Sequence, residues 1–402
     1  MGIGGKREQE SAGSAEEQEL AGEKERVKEK EPAGEKERVK EQEQAGEKEP
    51  AGEKEPAGEK ELAGEKELAG EKEPAGEISY VEICGISTEL PGSKLLVTGA
   101  GGFCGGHAVR HFTAAGYEVH AMFRPGSVRT AEGRENGAHH VELCDLEDMD
   151  ALRVLVDRIR PDAVLHLAGS NHAGASWKEP AAFLQANLMG TVHLLEAVRE
   201  AGHSCRIVVA GSMLGYVLPE AGLPRPPHPY SLSKTFQLAA ALSWHSMYGM
   251  DIIVADPGNL TGPGPSTGLC ALLARYAASC EAAAASGGAP PPVFKLSSSM
   301  EQRDFLDVRD AVSAYEAIIR HGVSGRRYAI ASGTMRTLGE LAGICQSLAT
   351  CPLEIEIGSS SAASPQPADV SSLRALGWVP VISFERSVAD TLESERKALK
   401  LI

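Results

Sequence analysis

T-G-A-G-G-F-C-G at positions 98–105 is the stretch of this 402-residue chain that decides its fold. It follows the apolar run K-L-L-V-T (94–98), typical of a short buried strand, and precedes apolar residues at helical spacing (108–115). Its glycines permit a tight turn, close approach of the backbone to a pyrophosphate, and packing of the helix on the strand. Free N–H groups at the helix start would face the phosphates, whereas a glycine-rich turn without a ligand is the alternative. The residues assigned to a dinucleotide cofactor here are Gly99, Gly102, Phe103, Cys104 and Gly105.

The chain after this loop alternates between strand and helix patterns. Further strands are predicted at 117–123, 140–144, 163–168, 206–210 and 251–255, and helices at 147–159, at 179–201 and around Tyr230. This alternation predicts an α/β fold, a Rossmann-type doubly wound parallel sheet. Beyond Pro257 the alternation weakens and Gly, Pro and Ser become more frequent. We therefore predict a cofactor-binding domain over 94–256 and, over 257–402, mainly a smaller substrate-binding lobe.

The N-terminal part has a different composition. A-G-E-K-E recurs at intervals of twelve and then six residues, and residues 1–80 carry 14 Lys and Arg against 24 Asp and Glu, so −10 of the net charge of −16 lies there. Such a segment cannot bury enough apolar surface to offset its chain entropy. We predict a disordered repeat tail over 1–78 and a linker over 79–93. An anchoring or partner-binding role for the tail, with an unknown partner, stays open.

Composition also argues against several classes of protein. No basic stripe suggests nucleic-acid binding, and no apolar run approaches the ~18 residues of a membrane span. The N-terminus lacks the apolar core of a signal peptide. Eight cysteines form neither a C-x-x-C pair nor a Cys/His ligand spacing, so we expect reduced thiols, a cytoplasmic location and no metal site.

Charged residues follow the second and third predicted strands. An acidic residue after the second strand usually holds the ribose 2′-OH of NAD, whereas arginine accommodates the 2′-phosphate of NADP. Arg124 stands there and favours NADP, with NAD as the alternative cofactor. A surface arginine with no role in cofactor binding is the other interpretation. After the third strand, Asp145 and Leu146 are candidates for the adenine side of the cofactor. An Asp that caps the next helix is the alternative.

Y-S-L-S-K (230–234) places a tyrosine and a lysine one helical turn apart. A nearby ammonium favours the phenolate, so Lys234 is expected to lower the pKa of Tyr230 and make it a usable acid or base. Any helix of ordinary composition can carry such a pair on a solvated face. The surrounding motifs have to decide between these interpretations.

Together, these motifs resemble the extended short-chain dehydrogenase/reductases, the NAD-dependent epimerase/dehydratase family. The resemblance covers about residues 94–395 and rests on T-G-A-G-G-F-C-G, C-D-L (144–146), H-L-A-G (166–169), A-G-S-M-L-G-Y (210–216) and Y-S-L-S-K. Other stretches, among them S-W-K-E-P (176–180) and R-D-F-L-D-V-R-D (303–310), are similar to the branch of GDP-6-deoxy-D-mannose reductases and GDP-mannose 4,6-dehydratases.

The resemblance implies roles for particular residues. Ser212 would bond the C4 oxygen of the sugar, with Tyr216 four residues on in the same signature. Tyr230 would protonate that oxygen, and Lys234 would hold the nicotinamide ribose. Asn259 and Arg303 would contact a nucleotide-sugar substrate, whereas an ion pair with Asp307 or Asp310 is the alternative for Arg303. Many relatives are dimers through two helices, one of which would be the Tyr230 helix, so a homodimer is also implied.

The chain departs from the family pattern in three places. A 4,6-dehydratase has Asp-Glu after the Ser/Thr, but this chain has Met213 and Leu214, which cannot exchange protons. In the substrate loop Asp256 stands where the family has an arginine, and it would repel a diphosphate unless it points elsewhere. An Arg-Pro-Ser motif expected before residue 370 is absent.

The sequence thus predicts an NADP-preferring reductase of a nucleotide-linked 4-keto-6-deoxy sugar, in particular GDP-6-deoxy-4-keto-mannose reduced at C4. One alternative is an NAD(P)-dependent nucleotide-sugar 4-epimerase or dehydratase. The other is a catalytically silent protein that binds a nucleotide or a partner, since the substrate loop is altered.

Overall fold

A computed structural model describes residues 92–360 and 364–399. These residues belong to one compact unit, Ile78–Ile402. The predicted repeat tail and nearly all of the predicted linker lie outside the described residues. Within the described ranges, no helix combines the length and apolarity needed to cross a membrane.

Seven parallel strands form the central sheet, in the order β10-β6-β5-β4-β1-β2-β3. They are β1 (Lys94–Thr98), β2 (Glu118–Phe123), β3 (His140–Leu143), β4 (Ala163–His166), β5 (Arg206–Ala210), β6 (Ile252–Pro257) and β10 (Arg327–Ile330). The inner strands are rich in Val, Ile and Leu and almost wholly buried, as expected when helices cover both faces. This arrangement confirms the predicted doubly wound Rossmann fold.

Helices pack on both faces of this sheet and also in the part of the chain beyond Pro257. They are α1 (Phe103–Ala114), α2 (Thr130–Glu135), α3 (Met149–Ile159), α4 (Ala173–Ser176), α5 (Pro180–Leu184), α6 (Gly190–Ala201), α7 (Pro229–Tyr248), α8 (Leu269–Ser286), α9 (Val308–His321), α10 (Leu338–Leu348), α11 (Ser371–Arg374) and α12 (Phe384–Ala398). One apolar core lies under α1 and α9, and another lies under α3 and α6. Each core buries the apolar stripe of its helices against the Val- and Leu-rich strands.

One predicted helix differs from the structure. The continuous helix expected over 179–201 is divided into α5, a π-helical turn at Gln185–Met189, and α6. The turn contains Asn187, a fully buried side chain whose amide bonds Ser170 and Ser233 on neighbouring segments. Periodicity could not indicate this interruption, because a π-turn adds one residue without breaking the helix.

Five short strands outside the central sheet form two smaller sheets. They are β7 (Asn259–Thr261), β8 (Phe294–Leu296), β9 (Gln302–Asp307), β11 (Met335–Thr337) and β12 (Ile355–Ile357). The orders are β11-β9-β7 and β12-β8. An apolar core with residues of α8, α10 and α12 lies beside them. Chain beyond Pro257 also returns to the central sheet as β10, so both sides of the predicted domain boundary build that sheet.

Candidate active site

The glycine loop between β1 and α1 is shaped by close backbone contacts. Gly99 has φ +70°, and a Cβ there would lie 2.7 Å from the amide nitrogen of Ala168. A Cβ at Gly105 would overlap the carbonyl oxygen of Gly99 and lie 2.8 Å from the Cα of Ala100. Gly102 donates its N–H to the Gly99 carbonyl at 2.9 Å. Only glycine fits these positions, which answers the packing requirement expected from the sequence.

The first turn of α1 offers backbone donors to an anion. Gly102 is the N-cap and makes no side-chain hydrogen bond to the helix, so the first-turn N–H groups have no side-chain cap. Phe103 and Cys104 begin this turn at the switch point between β1 and β4, where the order of strands reverses. Burial raises the pKa of the Cys104 thiol to about 12, so the thiol stays uncharged at neutral pH and does not repel a phosphate. The loop therefore fits the pyrophosphate of NAD(P).

The residues predicted for the adenosine side lie together at the carboxyl ends of β2 and β3. Arg124 is 72% exposed, and its Nε lies 3.7 Å from a carboxylate oxygen of Asp145. Leu146 follows and packs against Gly190 at the start of α6. Arg129, which the sequence reasoning missed, donates from a guanidinium nitrogen to the Gly101 carbonyl at 3.0 Å. Two arginines therefore flank the far side of the glycine loop.

Ser212 and Tyr230 meet beyond the carboxyl end of β5. Both are buried, and their side chains are close enough for Ser212 to lower the pKa of the phenol. The Ser212 hydroxyl also accepts the N–H of Leu214 at 3.1 Å. Tyr230 is the second residue of α7, which begins with Pro229 and is capped by the His228 ring through the Ser231 N–H at 2.9 Å. This cap fixes the direction in which the tyrosine leaves the helix.

Lys234 lies on the same buried face of α7 as Tyr230, and its ammonium has two acceptors. It donates to the carbonyl of Ala210 at 2.9 Å and to the side-chain oxygen of Gln237 at 2.7 Å. Burial lowers the pKa of Lys234 to about 8, and Asp256 opposes this shift. An ammonium can only donate, so Gln237 accepts with its oxygen and donates with its nitrogen to Thr191, at 2.8 Å.

This donor order extends to a buried histidine. Thr191 gives its one hydroxyl proton to the carbonyl of Asn187 at 2.7 Å, so it must accept from Nε2 of His166, at 2.8 Å. The other ring nitrogen, Nδ1, then accepts from the hydroxyl of Thr98 at 2.8 Å. Burial, aided by the charge of Lys234, lowers the pKa of His166 to about 3. His166 is therefore neutral and joins the strand of the glycine loop to the lysine, as a core histidine.

The pKa of Tyr230 runs opposite to the prediction from the sequence. Burial raises it, the hydrogen bond from Ser212 lowers it, and the charge of Asp256 raises it further. Ala210 and Gln237 accept the hydrogen bonds of the Lys234 ammonium. The expected lowering of the Tyr230 pKa by Lys234 stays a prediction, and both side chains lie on one buried face of α7.

Asp256 does not point toward a substrate. Its carboxylate accepts two hydrogen bonds from the guanidinium of Arg327, at 2.7 and 3.0 Å, and one from the N–H of Ser212 at 3.0 Å. A Cβ at Gly211 would overlap this carboxylate. The acid that replaces the family's arginine thus anchors the turn carrying Ser212, which answers the expectation that it must point elsewhere.

The predicted substrate residues lie on neighbouring strands of the three-stranded sheet. Asn259 is exposed on β7 and donates to the carbonyl of Asp304 at 3.1 Å. Arg303 on β9 pairs with Glu301, rather than with Asp307 or Asp310. Those two acids bind within the C-terminal part: Asp307 pairs with Arg309, and Asp310 accepts N–H groups of the segment before α12. They are packing residues, as expected.

Met213 connects the catalytic turn to this substrate segment. The sulfur of Met213 would lie 3.1 Å from a Cβ at Gly258, next to Asn259. Leu214 is exposed, and its carbonyl accepts the Ser231 hydroxyl at 2.5 Å. At both positions a dehydratase has acids, so this turn carries no second acid/base pair.

Comparisons with known proteins agree with this geometry. Residues 95–331 match the model of the NAD dependent epimerase/dehydratase family. The GDP-6-deoxy-D-mannose reductase of Pseudomonas aeruginosa is 30% identical over 309 residues, 73% of this chain and 94% of that protein. A dTDP-glucose 4,6-dehydratase of Xanthomonas campestris pv. campestris is 28% identical, over 74% of this chain and 92% of that protein.

A solved structure supports the same relationship. The structure of RMD from Pseudomonas aeruginosa complexed with NADPH superposes with a TM-score of 0.63 at 29% identity, covering 76% of this chain and 99% of that chain. The family model spans more than half of the chain and includes the glycine loop, Ser212, Tyr230 and Lys234. This chain therefore belongs to the NAD dependent epimerase/dehydratase family and is an NAD(P)-dependent nucleotide-sugar enzyme.

Proposed function

We propose that this protein is an NADP-preferring reductase of a nucleotide-linked 4-keto-6-deoxy sugar, with GDP-6-deoxy-4-keto-mannose reduced at C4 as its reaction. The observation that carries the proposal is the buried pair of Ser212 and Tyr230, with Lys234 on the same helix face. The turn after Ser212 offers Met213 and Leu214 in place of acids. That constellation suits protonation of one oxygen and does not suit loss of water.

In this reaction a bound nicotinamide supplies the hydride. Ser212 holds the C4 oxygen of the sugar by a hydrogen bond, and Tyr230 gives its phenolic proton to that oxygen. The raised pKa of Tyr230 keeps the phenol protonated at neutral pH, ready to act as the acid. Lys234 remains a hydrogen-bond donor beside the pocket and is proposed to bind the ribose hydroxyls.

The preference for NADP rests on Arg124 and Arg129. Arg124 follows β2 and is largely exposed, so its guanidinium is free to meet a 2′-phosphate once it leaves the long contact with Asp145. Arg129 is already anchored at the glycine loop through the Gly101 carbonyl. Asp145 is proposed to face the adenine amino group, with Leu146 beside it.

Residues beyond Pro257 are proposed to hold the nucleotide sugar. Asn259 follows Asp256 on the segment that Met213 contacts, so it can bind a group next to the Ser212 turn. Arg303 lies on the adjacent strand, and a diphosphate would compete with Glu301 for its guanidinium. The Arg327–Asp256 pair removes the negative charge that would otherwise repel such a substrate.

A cytoplasmic location and a homodimer belong to the same proposal. The seven cysteines among the described residues are all unpaired thiols, as in a reducing compartment. Met247 and Tyr248 are exposed at the end of α7, the helix that many relatives use for dimerisation. Light scattering of the purified full chain tests the dimer, and a monomeric mass at micromolar concentration would contradict it.

The reaction is tested with purified full-length protein, NADPH and GDP-6-deoxy-4-keto-mannose. We expect loss of nicotinamide absorbance in proportion to the sugar consumed, faster with NADPH than with NADH. UDP- and dTDP-linked 4-keto sugars serve as matched substrates that differ in the base. No loss of absorbance with any of these substrates would contradict the proposed reductase activity. Cofactor retained through purification without net turnover would instead indicate a 4-epimerase.

A further inference from the structure

Two histidines and a glutamate converge at the amino ends of β2 and β3, at the opposite end of these strands from Arg124 and Asp145. They are Glu118, His120 and His140, and one ligand atom of each lies within 4.8 Å of the others. Nε2 of His140 and Nε2 of His120 lie 3.0 and 3.5 Å from the same carboxylate oxygen of Glu118. Two imidazole nitrogens and one carboxylate oxygen therefore lie close enough together to share one ion after a small rotation of the rings.

His120 has a polar atom that the protein leaves unsatisfied. The residue is only 5% exposed, and its Nε2 is buried with no hydrogen-bond partner. Its Nδ1 lies 2.9 Å from a carboxylate oxygen of Glu142. An ionised carboxylate only accepts, so Nδ1 carries a proton, and in the uncharged form of the ring Nε2 then offers its lone pair to a ligand. A buried acceptor without a donor is unfavourable unless such a ligand is bound.

The carboxylate behind His120 is itself held in place. Burial acts to raise the pKa of Glu142, but hydrogen bonds from Arg158 and His120 outweigh it, so the pKa is lowered. Arg158 donates to the other oxygen of Glu142 at 2.6 Å. A carboxylate that orients a histidine through its distal nitrogen is the usual support behind a metal-bound imidazole.

We propose that Glu118, His120 and His140 bind a divalent transition-metal ion of the zinc type. In a tetrahedral zinc site the bonds of about 2.0–2.1 Å place neighbouring donor atoms about 3.3 Å apart, close to the two distances from Glu118. Two imidazoles and a carboxylate suit zinc better than magnesium or calcium, which prefer oxygen ligands. Lys94 is the register neighbour of Glu118 and directs its ammonium to the Ile159 carbonyl at 3.2 Å.

Such an ion would fasten the edge of the central sheet. β3 is the outermost strand next to β2, and His140 lies on it, whereas Glu118 and His120 lie on β2. The two imidazole rings are already stacked, with centroids 4.3 Å apart. The metal would replace the proton that His140 now shares with Glu118. Its role is stabilisation of the sheet edge, separate from the proposed reduction.

The test is zinc binding by the untagged full chain after removal of metals with a chelator. We expect one saturable site in a competition with a chromophoric chelator, and cobalt added in place of zinc should give the visible absorption of a nitrogen- and oxygen-ligated ion. His140→Ala and Glu118→Gln should each weaken zinc at least about tenfold. Both positions are partly exposed, so the variants should melt within a few degrees of the parent when no metal is present.

His321→Ala removes an exposed histidine at the end of α9 and serves as the matched control, which should bind zinc like the parent. In the parent and this control, zinc at 100 times its Kd should raise Tm by a few degrees, an effect that His140→Ala should lose. Absence of a saturable site in the parent would overturn the proposal. Binding that both site variants retain would place the ion elsewhere on the chain and overturn it equally.

Discussion

The glycine loop after β1 and the catalytic corner around Tyr230 are built in different ways. The loop is made by backbone: Gly99 and Gly105 allow a turn in which any Cβ collides with neighbouring main chain. The corner is made by side chains from β5, β6, α6 and α7, joined by directed hydrogen bonds. Replacing one glycine should therefore disrupt the whole loop. Replacing one side chain of the corner can instead remove one function and leave the local fold intact.

Gly105→Ala is the strongest test of the backbone side of this comparison. The new Cβ would overlap the Gly99 carbonyl and crowd Ala100, and main chain cannot turn aside as a flexible side chain can. We expect loss of measurable NADPH binding and destabilisation by about 2–4 kcal/mol, the scale of a severe overpacking defect. Isothermal titration and thermal melting measure the two effects.

Gly343→Ala is the matched control for that change. Gly343 lies inside α10, where a Cβ meets no atom within 4 Å. An alanine there should stabilise the helix by up to about 1 kcal/mol, because glycine is the poorer helix former. If Gly105→Ala bound NADPH as tightly as Gly343→Ala, the close packing of the loop would not be what forms the cofactor site.

Tyr230→Phe tests the side-chain half. The phenyl ring of the variant would still pack beside Phe183, so the fold and NADPH binding should change little. Removing a general acid typically costs 10²–10⁴ in rate, and we expect kcat for the 4-keto sugar to fall about 10³-fold. Tyr248→Phe, at the exposed end of the same helix, should keep the parental rate. A loss below tenfold would mean that another group protonates the C4 oxygen.

These two regions also differ in how far the sequence could predict them. Glycine spacing between a strand and a helix is a local pattern, so the loop and the alternating strands and helices of the parallel sheet followed from short stretches. The pair of Tyr230 and Lys234 was equally local, since helical spacing placed both on one face. What spacing could not give was the set of acceptors around the ammonium, Ala210 and Gln237, or the burial that raises the pKa of Tyr230.

The partners of the catalytic corner come from distant parts of the chain. Asn187 reaches it from a π-turn, Gln237 lies one turn beyond Lys234, and Arg327 arrives on the last strand of the sheet. No motif marks them, because each is defined only by what surrounds it after folding. The cluster of Glu118, His120 and His140 was not predicted for the same reason. Its residues lie on two neighbouring strands, and their separation in the sequence matches no known metal-binding motif.

His166 joins the two regions, because it bridges Thr98 before the glycine loop and Thr191 in the network of Lys234. Its pKa is about 3 in the folded state, lowered by burial from the 6.5 expected of an exposed ring. Between these values the unfolded chain takes up a proton and the folded chain does not. Stability from this group is therefore complete above pH 6.5 and falls as the pH is lowered toward 3.

The variant His166→Gln should remove this part of the acid sensitivity. The slope that one such group adds is at most about 1.4 kcal/mol per pH unit, so from pH 6.5 to 4.5 the parent should lose roughly 2 kcal/mol more than the variant. Urea unfolding at several pH values measures the difference. His321→Gln, an exposed histidine, should keep the parental slope. Parallel slopes for parent and His166→Gln would show that this ring can be protonated in the folded protein.

Arg124→Ala should give the smallest effect, and it tests whether recognition of the cofactor extends beyond the glycine loop. The glycine loop recognises a pyrophosphate, which NADPH and NADH share, so it cannot distinguish between them. Arg124 is exposed and makes one long contact with Asp145, so its loss should leave the fold unchanged. We expect KM for NADPH to rise about tenfold, roughly 1.4 kcal/mol, while KM for NADH stays the same.

The matched control is Arg134→Ala, an exposed arginine in α2 that should alter neither KM. We expect Arg129 to contribute to the remaining discrimination, because its guanidinium bonds the Gly101 carbonyl of the loop. If Arg124→Ala raised both KM values together, Arg124 would support the loop rather than read the 2′-phosphate. If the preference for NADPH over NADH survived Arg124→Ala and disappeared in Arg129→Ala, then Arg129 beside the glycine loop, and not Arg124 at the end of β2, would recognise the 2′-phosphate.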